Sequence, residues 1–192
     1  ISSLARFAEE MGQSFDPADL DALVDDGMLD ITDQWWNFRS DVVREVAYQT
    51  LTKSSRAQRH AGTAAVMLEY GMAPIDQVAH HAASAAELIR EIGPIEGFST
   101  NASVHAVGLL RSAAQRSLDV GAFSQAVHQA TRALALVDDD PLVASDLRLL
   151  RATATLERRD TSGAHDDAQQ VLTRALTDGD LHREAIARRL LG

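Results

Sequence analysis

Cysteine does not occur in the 192-residue chain, and Lys53 is its only lysine. Without thiols the protein can form no disulfide, no thiolate metal site and no cysteine nucleophile, and we expect a cytoplasmic location. Long apolar runs are also missing, so the sequence predicts no membrane-spanning helix and no membrane partner. Aromatic residues make up only 5% of the chain, but 45% of its residues are hydrophobic. That fraction predicts a folded protein with a normal core.

Basic residues are outnumbered, because 18 of them stand against 28 acidic ones and the formal net charge is −10. Nucleic-acid binders need clustered Lys and Arg to displace counterions from phosphates, so this balance argues against a nucleic-acid partner. The first 39 residues alone carry nine carboxylates, with only Arg6 and Arg39 to balance them. We expect this segment to repel phosphate.

The beginning of the chain has the pattern of two helices and a β-hairpin. A first helical stripe ends at Gly12, and a second helix, capped by Asp16 with proline in its first turn, stops at Gly27. Residues 28–38 then predict two short strands joined by a tight turn. This is the order of the last part of a winged helix, so we assign residues 1–39 to an N-terminally truncated winged-helix-like element. The side chains predicted to face inward from the two helices are Leu4, Phe7, Ala8, Met11, Leu20, Leu23 and Val24.

Residues 40–99 are predicted to form a helical connector of three helices. The first is amphipathic, and we expect its apolar stripe to be half buried on a core. Ser55 begins a capping-box pattern, which predicts a second helix ending at Gly71, and Pro74 opens a third. The side chains expected to face the core are Val42, Val43, Val46, Ala47 and Leu51, then Ala61, Ala64, Ala65 and Leu68, then Ile75, Val78, Ala79, Ala82, Ala86 and Ile89.

An internal repeat marks the last part of the chain. The segments 121–126 and 163–168 align at an offset of 42 residues, and each begins with glycine. We expect each glycine to turn the chain between two antiparallel helices, whose small alanines let the helices approach closely. Residues 181–191 have the pattern of a third unit that is cut short. We therefore assign residues 100–192 to a helical repeat.

The first copy resembles a tetratricopeptide repeat, whose second helix has a Gly-x-aromatic-x-x-Ala signature with further alanines and a closing proline. The second copy has His165 where an aromatic ring is usual, and its period exceeds the usual length. The resemblance implies an all-α fold: a tetratricopeptide-like α-solenoid, preceded here by the winged-helix-like piece with one small β-hairpin. The matching residues are Gly121, Phe123, Ala126, Ala130, Ala133 and Pro141.

Residues 38–48 carry the run Phe-Arg-x-Asp-x-Val-Arg-Glu-x-x-Tyr, and His60 and His80-His81 follow it. This looks like the region after the ATPase module in large bacterial signalling ATPases, including adenylate cyclase-like and LuxR-type regulators. In that family a winged-helix element and then helical repeats follow the nucleotide-binding domain. The resemblance implies an excised regulatory arm, actinobacterial by its sparse lysine and abundant Arg, Ala and Asp. ATP and Mg²⁺ would then belong to domains upstream of this chain, as would any ATPase or cyclase activity.

Candidate catalytic groups and metal ligands form no recognisable motif. Lys53 follows no glycine-rich phosphate loop, so we expect no nucleotide hydrolysis in this chain. His80 and His81 point about 100° apart on a helix and cannot chelate as an i,i+4 pair could, which favours a packing or capping role. The acidic run 138–140 lacks the ligand pattern of a calcium loop and predicts a solvated turn before Pro141. We expect no enzyme activity and no cofactor in this chain.

The sequence thus favours a non-catalytic protein-interaction and regulatory region, whose partner is a protein, a peptide or another domain of the parent chain. Helical repeats expose an extended surface lined by the first helix of each pair. The alternative is a DNA-binding regulator acting through the winged helix, although its candidate recognition helix at 18–26 is acidic. A third hypothesis is a stand-alone hydrolase with an unrecognised site. The residues predicted to contact a partner are Arg111, Gln115, Asp119, Arg148 and Arg151.

Overall fold

A computed structural model describes residues 2–10, 12–33, 35–71, 73–95 and 101–192. In these ranges the chain forms ten α-helices and one two-stranded antiparallel sheet, so the predicted all-α fold with one small hairpin is confirmed. The elements in chain order are α1 (Ser2–Glu10), α2 (Pro17–Asp25), β1 (Leu29–Thr32), β2 (Trp35–Phe38), α3 (Asp41–Thr50), α4 (Lys53–Tyr70), α5 (Ile75–Ile92), α6 (Ala102–Asp119), α7 (Phe123–Leu136), α8 (Pro141–Glu157), α9 (Thr161–Asp178) and α10 (Leu181–Leu191).

The N-terminal element contains α1, α2 and the hairpin. The Asp16 carboxylate accepts a hydrogen bond from the Ala18 amide at 2.9 Å, which caps α2 as the sequence predicted. Strands β1 and β2 pair with Leu29 opposite Phe38, and the predicted hairpin is therefore confirmed. Leu20 and Leu29 are buried between α2 and the hairpin. Met11, which was predicted to face inward, and Gln34, which falls within the predicted hairpin, lie outside the described ranges.

Helix α3 differs from its prediction. The Ser40 hydroxyl caps its first turn, but Val42 and Val46 are 71% and 56% exposed, and no residue of α3 is buried. Only Val43 and Tyr48 in the helix, and Leu51 just after it, are half buried. The prediction of an apolar stripe packed on a core is wrong for Val42, Val46 and Ala47, because none of the described elements covers that side.

Helices α4 and α5 form an antiparallel pair, with one change at the start of α4. The helix begins at Lys53, because the Thr52 hydroxyl accepts the Ser55 amide at 3.1 Å, and this cap lies three residues before the predicted cap at Ser55. The expected stop at Gly71 is confirmed, with left-handed φ of 60°. Val78, Ala79, Ala82 and Ala86 of the α5 stripe are buried as predicted, and Ile75 and Ile89 are half buried, whereas Ala65 and Leu68 of α4 are exposed. Residues 96–100 of the predicted loop lie outside the described ranges.

From α4 onward each helix packs on the next, and alternate helices also touch, α5 with α7, α6 with α8, and α8 with α10. This is the connectivity of a helical repeat. The interfaces are lined by small side chains: Ala114, Ala126, Ala130 and Ala154 are all fully buried in one cluster between α6, α7 and α8. Leu110, Ala113 and Ala114 of α6 are also buried.

The two predicted helical hairpins form, but their glycines occupy different positions in them. Gly121 turns the chain between α6 and α7 with φ of 76°, as expected. Gly163 lies inside α9 instead, and Arg159, with φ of 63°, makes the turn after α8. The reason is that the Asp160 carboxylate accepts the Gly163 amide at 3.0 Å and starts α9 early. A Cβ at Gly163 would lie 3.0 Å from an Asp160 carboxylate oxygen, which explains the small residue there.

Candidate interaction surfaces

The first surface is the face shared by α6, α8 and α10, the first helices of successive pairs. Asp146 on α8 receives Arg183 of α10 at 2.8 Å and Arg111 of α6 at 3.6 Å. Arg183 also pairs with Asp180. One carboxylate therefore ties three alternate helices together along this face, which we name the α6/α8/α10 face.

Three residues predicted to contact a partner share one stripe of α6. Arg111, Gln115 and Asp119 follow each other at i,i+4 spacing, and all three are exposed. The Gln115 side-chain amide donates to the Asp119 carboxylate at 2.8 Å. Since Arg111 contacts Asp146, the stripe borders the α6/α8/α10 face. The polar groups here are solvated, so a partner can replace their weak mutual contacts at small cost.

Arg151 lies on another side of α8. It is five residues from Asp146, which rotates it about 140° around the helix. Its guanidinium donates two 2.7 Å hydrogen bonds to Asp167 of α9 and a third, at 3.2 Å, to the Thr131 hydroxyl of α7. Asp167 is only 4% exposed, and its hydrogen bond to Arg151 raises the pKa of that guanidinium, against the opposing effect of burial. The pair neutralises a buried charge at the α8/α9 interface.

Arg148 lines a cavity of about 370 Å³ between α8 and α9. It is two residues from Asp146 and therefore about 200° around α8 from the α6/α8/α10 face. Arg148 is half buried, and it makes no ion pair with another described residue. The cavity is lined by Pro141, Ser145, Arg148, Gln170, Val171, Thr173 and Arg174.

The structure thus separates the five residues predicted to contact a partner. Arg111, Gln115 and Asp119 share one stripe, while Arg148 and Arg151 lie against α9 on another side of α8. Partner contact by each residue stays a prediction. Asp167 had no assigned partner in the sequence, but it and Arg151 lie equally far from the turn at Arg159. In an antiparallel hairpin that symmetry places residues side by side, and it could have indicated the pair.

A cluster of three histidines joins α4 and α5. His60 Nδ1 and His81 Nδ1 are 2.9 Å apart, and the Tyr48 hydroxyl of α3 lies 3.0 Å from His60 Nε2. His80 Nδ1 lies 3.2 Å from a guanidinium nitrogen of Arg132. No contact between His60 and His81 was predicted from the sequence, although His60 lies about as far before Gly71 as His81 lies after it. The antiparallel α4/α5 pair brings the two rings level.

The cluster is held in its uncharged form. Burial, followed by the charges of His60 and His80, lowers the pKa of His81 to about 4. The pKa of His60 is lowered by burial, then by His80 and Arg132, with Glu87 acting in the opposite direction. The pKa of His80 is lowered by burial and then by Arg132 and His128, again against Glu87. Two charged rings would also bring two N–H groups together at the His60–His81 contact, so the neutral pair fits the 2.9 Å separation.

The histidines do not extend into a larger ligand set. Among the described residues, no three His, Cys, Asp or Glu side chains are arranged to hold a metal ion. In the same ranges, no helix combines the length and the hydropathy required to cross a bilayer. Arg132 donates two 2.8 Å hydrogen bonds to Glu87, so the group beside His80 is an ion pair between α5 and α7.

Comparison with known proteins identifies no relative: no family model matches the chain, and no curated protein or solved structure is significantly similar to it.

Proposed function

We propose that the chain is a non-catalytic protein-interaction and regulatory region, and that it belongs to a multidomain signalling ATPase of the adenylate cyclase-like or LuxR-type kind. The observation that supports the interaction role is the α6/α8/α10 face, where Arg111, Asp146 and Arg183 align charges of both signs across three alternate helices. The signalling ATPase as parent is supported by the sequence resemblance at residues 38–48 alone. ATP and Mg²⁺ would act in other domains of that parent.

A repeat surface suits regulation for a physical reason. The α6 stripe of Arg111, Gln115 and Asp119 is exposed, so its side chains contribute little to stability and are free to be selected for a partner. Stacked helix pairs can also transmit a displacement from one end of the repeat to the other, because each pair is close-packed on the next. A protein, a peptide or another domain of the parent bound on α6, α8 and α10 would thereby alter an output elsewhere in the parent.

The alternative, DNA binding through the winged-helix-like element, has weaker support. The recognition helix would be α2, whose carboxylates Asp19, Asp21 and Asp25 are exposed. Each would repel a phosphate instead of releasing counterions. A gel shift with duplex DNA across a salt series separates the two proposals. We expect no binding by the chain, whereas salt-sensitive duplex binding would favour the alternative.

Site-specific photo-crosslinking tests the interaction role directly. A photoreactive residue at Gln115, on the stripe, is expected to give a discrete crosslinked species in cells that express the chain. The matched control is Gln125, another exposed glutamine, which lies on α7, away from the α6/α8/α10 face. Equal crosslinking at the two positions, or none at Gln115, would contradict the proposal. Nucleotide turnover by the purified chain would instead support the hydrolase hypothesis.

A further inference from the structure

We propose that the cavity between α8 and α9 binds the carboxylate of an acidic segment in a protein partner. This inference rests on the interaction role proposed above and adds the chemistry of the partner. The site is distinct from the α6/α8/α10 face, since Arg148 projects from a different side of α8 than Asp146. At about 370 Å³, the cavity is within the size range of ligand pockets.

The donors that remain free in the cavity suit an anion. The Arg148 guanidinium and the Gln170 amide make no hydrogen bond within the described part of the chain, and both line the cavity. Arg174 donates one N–H to Asp178, and its other N–H groups remain available to a ligand. The two hydroxyls there donate to carbonyls of their own helices, Ser145 to Pro141 and Thr173 to Gln169. An arginine fork is the group that best matches an oxyanion with two oxygens.

The net charge of the cavity selects a carboxylate over a phosphate. Arg174 is already balanced by Asp178, with their atoms 2.5 Å apart, so Arg148 alone supplies about one unit of uncompensated positive charge. A carboxylate carries one negative charge, whereas inorganic phosphate carries up to two at neutral pH.

Two neighbouring features do not supply the binding. The first amides of α8 are already used, because the Asp140 carboxylate accepts those of Leu142 and Val143. The cavity lining in the described chain also contains no aromatic ring on which a nucleobase could stack. The side chains of Arg148, Gln170 and Arg174 therefore carry the proposal.

The test is a nuclear magnetic resonance titration of the whole chain. The probes are a blocked five-residue peptide with two glutamates among alanines, its glutamine counterpart, acetate and inorganic phosphate. We expect the glutamate peptide and acetate to shift the side-chain N–H signals of Arg148, Arg174 and Gln170 saturably. The glutamine peptide is expected to leave them unchanged. Arg148→Gln is expected to weaken binding about tenfold or more, since a hydrogen bond between charged groups is lost.

The control variant is Arg158→Gln, because Arg158 is an exposed arginine at the end of the same helix, away from the cavity. It is expected to bind the glutamate peptide as the unaltered chain does, and backbone amide spectra confirm that both variants are folded. No shift with the glutamate peptide, equal shifts with the glutamine peptide, or tighter binding of phosphate than of acetate would each overturn the proposal. If the titration fails while a photoreactive residue at Gln115 still crosslinks, only the proposed carboxylate site is contradicted. If the titration and the crosslinking both fail, the proposed interaction role is contradicted as well.

Discussion

The N-terminal element and the helical repeat are built on different cores. In the described part of the N-terminal element and of α3, which follows it, Leu20 and Leu29 are the only buried side chains, whereas every helix from α4 to α10 buries at least one. Alanine supplies 19 of the 30 buried apolar residues described, so the repeat is stabilised by close helix approach more than by large side chains. Alanine also loses no side-chain rotamer entropy on folding.

The N-terminal element depends on local and polar contacts instead. Trp36 and Phe38 are half buried and meet edge to face on the hairpin, 5.9 Å apart. The Arg6 guanidinium lies 4.5 Å from the centre of the Tyr70 ring on α4, which links this element to the repeat. Such half-buried and exposed contacts are individually weak, so we expect this element to open more easily than the helices that follow it.

Truncating one leucine in each region should give the largest difference. Leu110, on α6, is 1% exposed, and Leu110→Ala is expected to lower the free energy of unfolding by about 3–4 kcal/mol through lost burial and a residual cavity. Leu23, on α2, is 37% exposed, and Leu23→Ala should cost less than about 1 kcal/mol. Urea denaturation measures both, and equal losses would contradict the contrast between the regions.

Removing the buried carboxylate of Asp167 in the repeat should give the second-largest loss of unfolding free energy. Asp167→Ala leaves the Arg151 guanidinium unpaired at the α8/α9 interface, and because that side chain is 26% exposed we expect a loss of about 2–3 kcal/mol. Asp166→Ala, at the exposed neighbouring position, should stay within about 0.5 kcal/mol. Thermal unfolding of the two variants makes the comparison. Similar melting temperatures would show that the Arg151–Asp167 pair has no structural role.

Acidification should act through the histidine cluster. Since the folded pKa of His81 is about 4, below its ordinary value of 6.5, the unfolded chain binds more protons in that interval. Stability is therefore full above pH 6.5 and falls towards pH 4, by about 1.5 kcal/mol after allowing for the ring's partial exposure. The groups that face the cluster are Tyr48, Arg132, Glu87 and His128.

The measurement is urea denaturation at several pH values for the chain and for His81→Leu. We expect the variant to lose much of the stability change between pH 6.5 and 4, because the ring that resists protonation has been removed. His105→Leu, which replaces an exposed histidine on α6, is the matched control. An unchanged pH dependence in His81→Leu would exclude the cluster as its source.

Replacing two glycines of the repeat by alanine should change the stability by the smallest amounts, and in opposite directions. Gly121→Ala forces a Cβ into a left-handed turn and is expected to cost about 1 kcal/mol. Gly108→Ala lies in the middle of α6, where an added Cβ meets open space, and should stabilise the chain by about 0.5–1 kcal/mol. Differential scanning calorimetry resolves the two directions, and a shift of the same sign in both variants would contradict the turn assignment.

Local signals in the sequence were sufficient for most elements. The Asp16 cap, the hairpin and the left-handed stop at Gly71 each depend on a few neighbouring residues, so the sequence predicted them correctly. The start of α4 was misplaced because Thr52 and Ser55 both suit an N-cap, and backbone geometry decides between them. The prediction that Gly163 turns the chain between two helices was wrong for a similar reason, since the N-cap at Asp160 starts α9 before the glycine.

Long-range pairing was the part that local patterns could not supply. The apolar spacing of Val42 and Val46 predicted an amphipathic helix, but periodicity does not say whether another element covers the apolar face. The histidine cluster likewise depends on how α4 and α5 align, and the pairing of Asp167 depends on the turn after α8. Once the turns are placed, symmetry about them predicts both contacts.

Native-state hydrogen exchange, resolved by segment, tests the central claim that a close-packed helical repeat carries a more weakly held N-terminal element. We expect backbone amides in α6, α7 and α8 to exchange only through global unfolding. In Leu110→Ala, the free energy of exchange of these amides should therefore fall by as much as the free energy of unfolding does. Amides in α2, β1, β2 and α3 should exchange earlier through local opening. Protection in the hairpin and α3 equal to that in α7 would contradict the account, as would early, independent exchange of the α6–α8 amides.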